Sequence, residues 1–193
     1  MLEDALDEQY PKDGRLKNEV PFSVRLLTRR DSHLLYGFFK NIPREDRLFM
    51  PDDVTDKTIV EMLCKQIDLD REVPLIAEAE GQIAGYAALY LEPERWMHHV
   101  GRVNVIVHPG YRRQGLALEL LNEITNLALH TGYLEELYTR CMDSQEGAIW
   151  MFENAGFVPR GMLPNQVRDL DGGIHDLVIL ARKLRDQEFF GLD

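Results

Sequence analysis

Cysteine is scarce in this sequence of 193 residues, since the only two, Cys64 and Cys141, lie far apart and in no metal-ligand spacing. We expect two reduced packing residues, with neither a disulfide nor a metal site. Basic residues are also few, because 22 Lys and Arg face 33 Asp and Glu and leave a net charge of −11. Proteins that bind nucleic acid or anionic membranes usually present a basic face. The charge therefore predicts neither partner and suits a cationic substrate better.

Long apolar runs are missing too. The longest, Ile83 to Leu91, has only half of the roughly 18 residues that cross a bilayer. The N-terminal sequence MLEDALDEQY is acidic and has no apolar segment behind it, unlike a secretory signal peptide. We expect a cytoplasmic protein.

Two nucleotide-binding glycine motifs are absent from the sequence. It contains no G-x-x-x-x-G-K-[ST] loop and no G-x-G-x-x-G fingerprint after a predicted strand. These absences disfavour NTPases and Rossmann-type dehydrogenases. A phosphate-bearing cofactor of another kind remains compatible with the sequence.

The composition that is present, 45% apolar and 28% charged, is typical of a packed globular protein. The length fits one α/β domain better than two small ones. Residues 1–21 mix charges with Pro11 and Gly14 and show no apolar period, which predicts a loose N-terminal leader. A single domain over residues 22–193 follows.

Hydrophobic periodicity predicts the order β-α-α-β-β-β-α-β-α-β-β and hence an α/β protein with a mixed sheet and helices on both faces. The pair Glu80-Gly81 predicts a hairpin turn, and Arg102 to Cys141 a parallel strand–helix–strand crossover. The second helix is expected to begin at Asp53 or Thr55 as its cap. Its apolar face is predicted to carry Ile59, Met62, Leu63 and Ile67.

One segment combines features that suit an anionic ligand. From Val103 to Leu121, an apolar strand leads through a His-Pro-Gly turn and Arg112-Arg113-Gln114-Gly115 into an amphipathic helix. A helix N-terminus exposes unpaired N–H groups and a partial positive charge, and glycine lets a ligand approach closely. By itself the short pattern equally fits a helix start with solvated arginines. Its position between a strand and a helix favours a pyrophosphate site.

Two motifs in the sequence resemble those of the GNAT N-acetyltransferase superfamily. VHPGYRRQGLA is similar to the family's strand end, R/Q-x-x-G-x-G/A turn and helix start, and QEGAIWMFENAGF to its second landmark. The resemblance covers about Val24 to Leu184. It implies a centrally splayed sheet, with acetyl-CoA bound where two parallel strands separate.

The resemblance also implies which residues contact acetyl-CoA. The pantetheine is expected on the backbone of the first parallel strand, the pyrophosphate on the loop that follows it, and one further contact at the start of the second landmark. The implied cofactor-binding residues are Val105, Ile106, Val107, Arg112, Arg113, Gln114, Gly115, Leu116, Ala117, Leu118 and Gln145.

The implied reaction is direct attack of a neutral amine on the thioester, with no covalent enzyme intermediate. A lysine-like ammonium has a pKa of about 10.4, so a base or a water chain to one is required. His99 is the first candidate for the base and Asn104 for holding a water or the substrate. A surface or capping histidine and an outward-facing strand residue are the plainer interpretations.

The usual general acid is missing, because the second landmark has Phe152 where many family members have tyrosine. An alkyl thiol has a pKa of about 8.5 and leaves tolerably as thiolate, so this loss need not abolish activity. Tyr111 and Tyr138 are possible substitutes, although both also fit as packing residues.

The acceptor is expected to be a primary amine. The run HLLYGFFKNIPREDRLFM resembles the corresponding region of bacterial protein-lysine acetyltransferases, which favours a protein lysine over polyamines, amino acids or aminoglycosides. A non-catalytic acyl-CoA sensor or interaction module is the alternative, and a homodimer is left open.

Overall fold

A computed structural model of the chain describes residues 6, 9–48, 50, 53–169 and 171–184. None of the helices in these ranges is both long and apolar enough to cross a membrane. The strands and α-helices, in chain order, are β1 Lys12–Arg15, β2 Pro21–Leu26, α1 Ser32–Asn41, α2 Arg44–Arg47, α3 Lys57–Lys65, β3 Glu72–Ala79, β4 Gln82–Leu91, β5 Val100–Val107, α4 Leu116–His130, β6 Glu136–Met142, α5 Glu146–Asn154, β7 Val158–Arg168 and β8 Ile174–Lys183.

The strands form one sheet in the order β1-β2-β3-β4-β5-β6-β8-β7. Of the neighbouring strands, β5 and β6 run parallel and the others antiparallel. The β5–β6 ladder has three residue pairs, from Val100 and Glu136 to Arg102 and Tyr138, and then stops. Both strands continue, β5 along β4 to Val107 and β6 along β8. The predicted α/β fold, a mixed and centrally splayed sheet with helices on both faces, is confirmed.

A hydrophobic core lies on each face of the sheet because side chains of successive strand residues point to opposite sides. In β5, Val103 belongs to the core beneath α4 and α5, whereas Ile106 belongs to the core beneath α1 and α3. Gly85 of β4 lets α4 approach closely, since a Cβ there would stand 2.7 Å from Cδ1 of Leu120. This contact fixes where the N-terminal half of α4 lies on the sheet.

The N-terminal residues differ from the predicted loose leader. Lys12–Arg15 forms β1 and pairs with β2, and the side chain of Leu16 is only 2% exposed. Tyr10 and Lys12 hydrogen-bond to Glu123 on α4, at 3.0 and 2.6 Å. No local pattern predicts this strand, because KDGR pairs through its backbone and carries no apolar alternation. Residues 1–5, 7 and 8 lie outside the described part of the chain.

The helix that follows α1 and α2 starts later than predicted. Asp53 accepts hydrogen bonds from the backbone and hydroxyl of Thr55, so these two residues form a local turn, and Asp56 caps α3 instead. The start at Lys57 turns Val60 and Cys64 into the core. Met62, predicted on the apolar face, is 48% exposed. Asp53 and Asp56 each accept a backbone hydrogen bond from the residue two positions later, and the helix begins after the second of these turns.

Asp31 anchors the start of α1 to the sheet. The residue is 5% exposed, and its carboxylate accepts two hydrogen bonds of 2.8 Å from the guanidinium of Arg25 and two more, also 2.8 Å, from Thr28. Burial alone raises the pKa of Asp31, but the hydrogen bonds from Arg25 and Thr28 outweigh it, so the pKa lies below its ordinary value. The carboxylate therefore stabilises the fold in its ionised form.

We expect Asp31→Asn to lower the free energy of unfolding at pH 7 by about 2–4 kcal/mol, because Arg25 then loses its buried partner. Since the native pKa of Asp31 is depressed, its contribution is present above the unfolded-state pKa and lost as the pH falls through the native value. Urea unfolding at pH 7 and pH 3 should show the two proteins converging in acid. Glu78→Gln, which removes a more exposed partner of Arg25, is the control and should cost about 1 kcal/mol or less. Equal losses for the two variants would contradict the anchor.

Candidate active site

A gap opens between β5 and β6 immediately after their last residue pair. From Val103 to Val107, β5 is paired on one edge with β4, and from Thr139 to Met142, β6 is paired on one edge with β8. Backbone N–H and C=O groups of a strand point alternately to its two edges. Beyond Arg102, the edge of β5 that faces the gap thus has no strand partner among the described residues, and it suits an extended ligand that carries amide groups.

The loop at the open end of the gap presents unpaired donors. Over the described residues, the five successive N–H groups from Arg113 to Ala117 have no hydrogen-bond acceptor. Arg113 and Gly115 both have left-handed backbone angles, with φ of 61° and 91°. Such conformations turn neighbouring N–H groups toward a common point and form a concavity for anions. The loop fits a phosphate group without any rearrangement of α4.

The two arginines of this loop are in different situations. Arg112 donates from Nε to the carbonyl of Val107 at 3.1 Å and from Nη2 to Asp46 at 2.5 Å. Arg112 therefore ties α2 to the end of β5. Arg113 has no hydrogen bond or ion pair with any residue in the described ranges. Its guanidinium is the one of the two that is available for a ligand.

Gln145 stands at the far wall of the gap, where β6 passes into α5. Its side-chain oxygen accepts the N–H of Met142 at 2.9 Å, and its backbone carbonyl accepts the N–H groups of Ala148 and Ile149. The amide nitrogen of the side chain donates to none of the described residues. Gln145 can thus hold the end of β6 in place and still offer a donor to the gap.

The two predicted catalytic residues lie at different places. Asn104 is inside the gap region of β5, on the α1 side of the sheet, and its amide nitrogen is 3.4 Å from the sulfur of Met50. His99 precedes β5, and its carbonyl accepts N–H groups of Glu135 and Glu136. Val103 is four residues after His99, which corresponds to about 13 Å at roughly 3.3 Å per residue. His99 therefore lies on the paired side of the point where the strands separate.

A polar cluster lies where the ladder stops, and of its members only Tyr138 was singled out from the sequence. Tyr138, in the last residue pair of β5 and β6, donates to Glu92 at 2.6 Å. Next to it, the guanidinium of Arg102 stacks on the ring of Tyr90 at 3.9 Å. Burial, together with the hydrogen bond to Glu92, raises the pKa of Tyr138 to about 12. The cluster places one carboxylate and one neutral phenol at the narrow end of the gap.

Tyr111, the other tyrosine considered as a substitute acid, is engaged elsewhere. It is 6% exposed, and its hydroxyl donates to Glu80 at 2.8 Å and accepts from Gln82. These partners belong to the hairpin between β3 and β4, so the hydroxyl braces the turn that follows β5.

Two further residues limit the possible chemistry. Phe152 is 3% exposed and packs edge-on against Phe157, with ring centroids 5.2 Å apart, so this position belongs to the core under α5. Cys141, on β6 beside the gap, is 3% exposed, and burial raises the pKa of its thiol to about 12. A thiol with such a pKa stays protonated near neutral pH and is a poor nucleophile. The chain thus favours direct transfer over an acyl-cysteine intermediate.

Comparison with known families gives a clear match. Residues 39–157 match the Acetyltransferase (GNAT) family. The chain belongs to this family and is an N-acetyltransferase that uses acetyl-CoA. The open edge of β5 and the unpaired N–H groups of the loop suit the pantetheine and pyrophosphate of that cosubstrate. The match favours the enzyme over the non-catalytic acyl-CoA sensor.

Solved structures share the fold at low sequence identity. The GNAT domain of PAT from S. lividans is 18% identical with a TM-score of 0.73, covering 90% of this chain and 96% of that one. A putative acetyltransferase from Salmonella typhimurium, yncA, solved with acetyl-CoA, is 18% identical with a TM-score of 0.74, covering 89% and 98%. A ribosomal-protein-alanine N-acetyltransferase from Brucella melitensis is 21% identical with a TM-score of 0.71, covering 83% and 98%. A search of curated proteins found no match.

Proposed function

We propose that this enzyme acetylates a primary amine, in the first place a protein lysine, that approaches acetyl-CoA from the face of the sheet covered by α1 and α3. The observation that carries the proposal is the gap itself. One end of it meets the loop of unpaired N–H groups, and the other meets the carboxylate of Glu92. A ligand that spans the gap would bring its two ends to these two places.

Different residues of the chain would bind the different parts of acetyl-CoA. The backbone of Val105, Ile106 and Val107 would pair with the pantetheine amides, and Gln145 would add a donor from the opposite wall. The N–H groups of Arg113 to Ala117, with the Arg113 side chain, would hold the pyrophosphate. Bound there, acetyl-CoA supplies a thioester carbonyl for attack by the amine.

Glu92 is the proposed proton acceptor. An ammonium group must lose a proton before it can attack, and a carboxylate at the narrow end of the gap both attracts the cation and receives that proton. Tyr138 donates a hydrogen bond to Glu92 and so fixes its position. His99 remains the alternative base predicted from the sequence. Because it precedes the paired part of β5, a water chain would have to connect it to an amine in the gap. Asn104, inside the gap, would orient such a water or the amine.

Two observations support a protein lysine as the acceptor. The net charge of −11 favours a cationic partner, and the α1 region resembles that of protein-lysine acetyltransferases. The names of structural neighbours point to two classes of acceptor. One names ribosomal-protein alanine and another, a putative enzyme, phosphinothricin. A small amine is therefore the second candidate.

The acceptor class can be measured by release of free CoA from acetyl-CoA. We expect turnover with lysine-bearing proteins and peptides, and mass spectrometry should find the acetyl group on a lysine side chain. A matched panel of polyamines, amino acids and phosphinothricin should give lower kcat/KM values. Higher values for a small amine would replace the protein acceptor. Binding of acetyl-CoA without CoA release from any amine would contradict catalysis altogether.

A further inference from the structure

The turn between β1 and β2 contacts the loop of unpaired N–H groups from Arg113 to Ala117, which we call the phosphate loop. The N–H of Lys17 donates to the carbonyl of Gln114 at 3.1 Å, and the turn is closed by a hydrogen bond of 2.9 Å from Leu16 to Val20. The side chain of Leu16 is buried beneath the turn. Farther along, Tyr10 and Lys12 bind Glu123 of α4. The N-terminal strand is therefore held at both of its ends, by the middle of α4 at one end and by the loop before α4 at the other.

The side chain of Lys17 extends over the glycine of this loop. Its Cε lies 3.8 Å from the position that a Cβ would take on Gly115, and among the described residues no other atom beyond the adjoining backbone comes within 4 Å of that position. The ammonium group is one bond from this Cε, so it can reach a phosphate held in front of the N–H groups that have no acceptor. No carboxylate in the described ranges pairs with Lys17.

An unpaired cation at this position is notable in a protein with a net charge of −11. Coenzyme A carries a pyrophosphate and a 3′-phosphate, and the net negative charge of the chain disfavours the approach of both. Arg112 is already occupied by Asp46 and by the carbonyl of Val107. Among the described residues, Arg113 in the loop and Lys17 beside it are therefore the side-chain cations at this place that have no hydrogen bond or ion pair from their side chains.

We propose that Lys17 is a phosphate-binding residue for acetyl-CoA, supplied by the N-terminal strand pair rather than by the loop of the family motif. The inference rests on the proposed acetyl-CoA site. In that site the Lys17 ammonium adds a charge-assisted hydrogen bond to a phosphate oxygen beside the Gly115 backbone. The shared chemistry is a phosphate anion, and the pyrophosphate and the 3′-phosphate are its two possible sources.

Isothermal titration with coenzyme A and with 3′-dephospho-coenzyme A tests the proposal. The variant is Lys17→Met, which keeps the aliphatic stem and removes the charge. Lys65→Met, at an exposed position at the end of α3 on the other face of the sheet, removes the same charge elsewhere. We expect Lys17→Met to weaken coenzyme A about tenfold, as loss of one charged hydrogen bond predicts, and Lys65→Met to leave it unchanged. Lys17→Arg should restore most of the affinity.

The two ligands identify the phosphate. Weakening of coenzyme A alone assigns Lys17 to the 3′-phosphate, and equal weakening of both ligands assigns it to the pyrophosphate. Unchanged affinity of Lys17→Met for both ligands, or an equal loss in Lys65→Met, overturns the proposal. Failure of the wild-type protein to bind either ligand would instead overturn the acetyl-CoA site itself.

Discussion

Replacement of Glu92 by glutamine is expected to lower kcat about 100- to 1,000-fold, the usual size of a general-base contribution. Glutamine keeps the shape and the hydrogen bond to Tyr138 but accepts no proton from the amine. Because the phosphate loop and the β5 edge are untouched, the Kd for acetyl-CoA should stay the same. Steady-state release of CoA gives kcat, and titration of acetyl-CoA gives Kd.

Glu94→Gln is the matched control for this experiment. Glu94 is exposed and lies two residues farther along the connection to β5, so its loss of charge should leave kcat within about twofold of wild type. Tyr138→Phe should lower kcat about tenfold, since it removes a hydrogen bond that positions the base. A Glu92→Gln enzyme that is as fast as wild type would return His99 to first place as the base.

Replacement of Gly115 by leucine is expected to raise the Kd for acetyl-CoA about 100-fold, which corresponds to about 2.7 kcal/mol. The new side chain would occupy the space in front of the loop where Lys17 now lies. It would hold the phosphates away from the N–H groups, each charged hydrogen bond being worth about 1.5–3 kcal/mol. Equilibrium titration of acetyl-CoA measures the change directly.

A control variant at a second glycine, just after the other end of α4, distinguishes loss of phosphate binding from loss of stability. Gly132 follows the other end of α4 with a φ of 80°, close to the 91° of Gly115, and has open space around it. A leucine at either position suffers a comparable left-handed strain of about 1–2 kcal/mol. We expect similar falls in thermal stability and weakened binding in Gly115→Leu alone. Equal affinity of the two variants would remove the phosphate loop from the site.

The central part of the chain was largely predictable because its signals are local. The apolar strand β5, the glycine-containing turn and the stripe of α4 lie consecutively, and each follows from spacing or backbone chemistry. The β3–β4 hairpin was likewise predicted at Glu80-Gly81, where both residues have positive φ. The resemblance to the GNAT superfamily was confirmed by the family match. Val105 to Val107, Arg112 to Leu118 and Gln145 stay predictions as contact residues.

The remaining parts depend on contacts between residues far apart in sequence. Glu92 meets Tyr138 across an intervening strand, at a separation of 46 residues, which no local pattern reveals. Strand β1 pairs through its backbone and is held by Glu123, so its polar sequence looked like a loose leader. No sequence pattern distinguishes Lys17 from the other charged residues, and only the fold places its side chain beside Gly115.

The ladder of three residue pairs between β5 and β6 has a consequence for how such a protein can evolve. The edge that it leaves open consists of main-chain groups, which every residue except proline supplies in the same geometry. The apolar side chains along β5 pack into the two cores and do not point toward a ligand on that edge. Substitutions of one apolar residue for another can therefore accumulate in β5 while its open edge is kept. Solved structures that share the fold at 18% identity show how far the sequences of this fold have diverged.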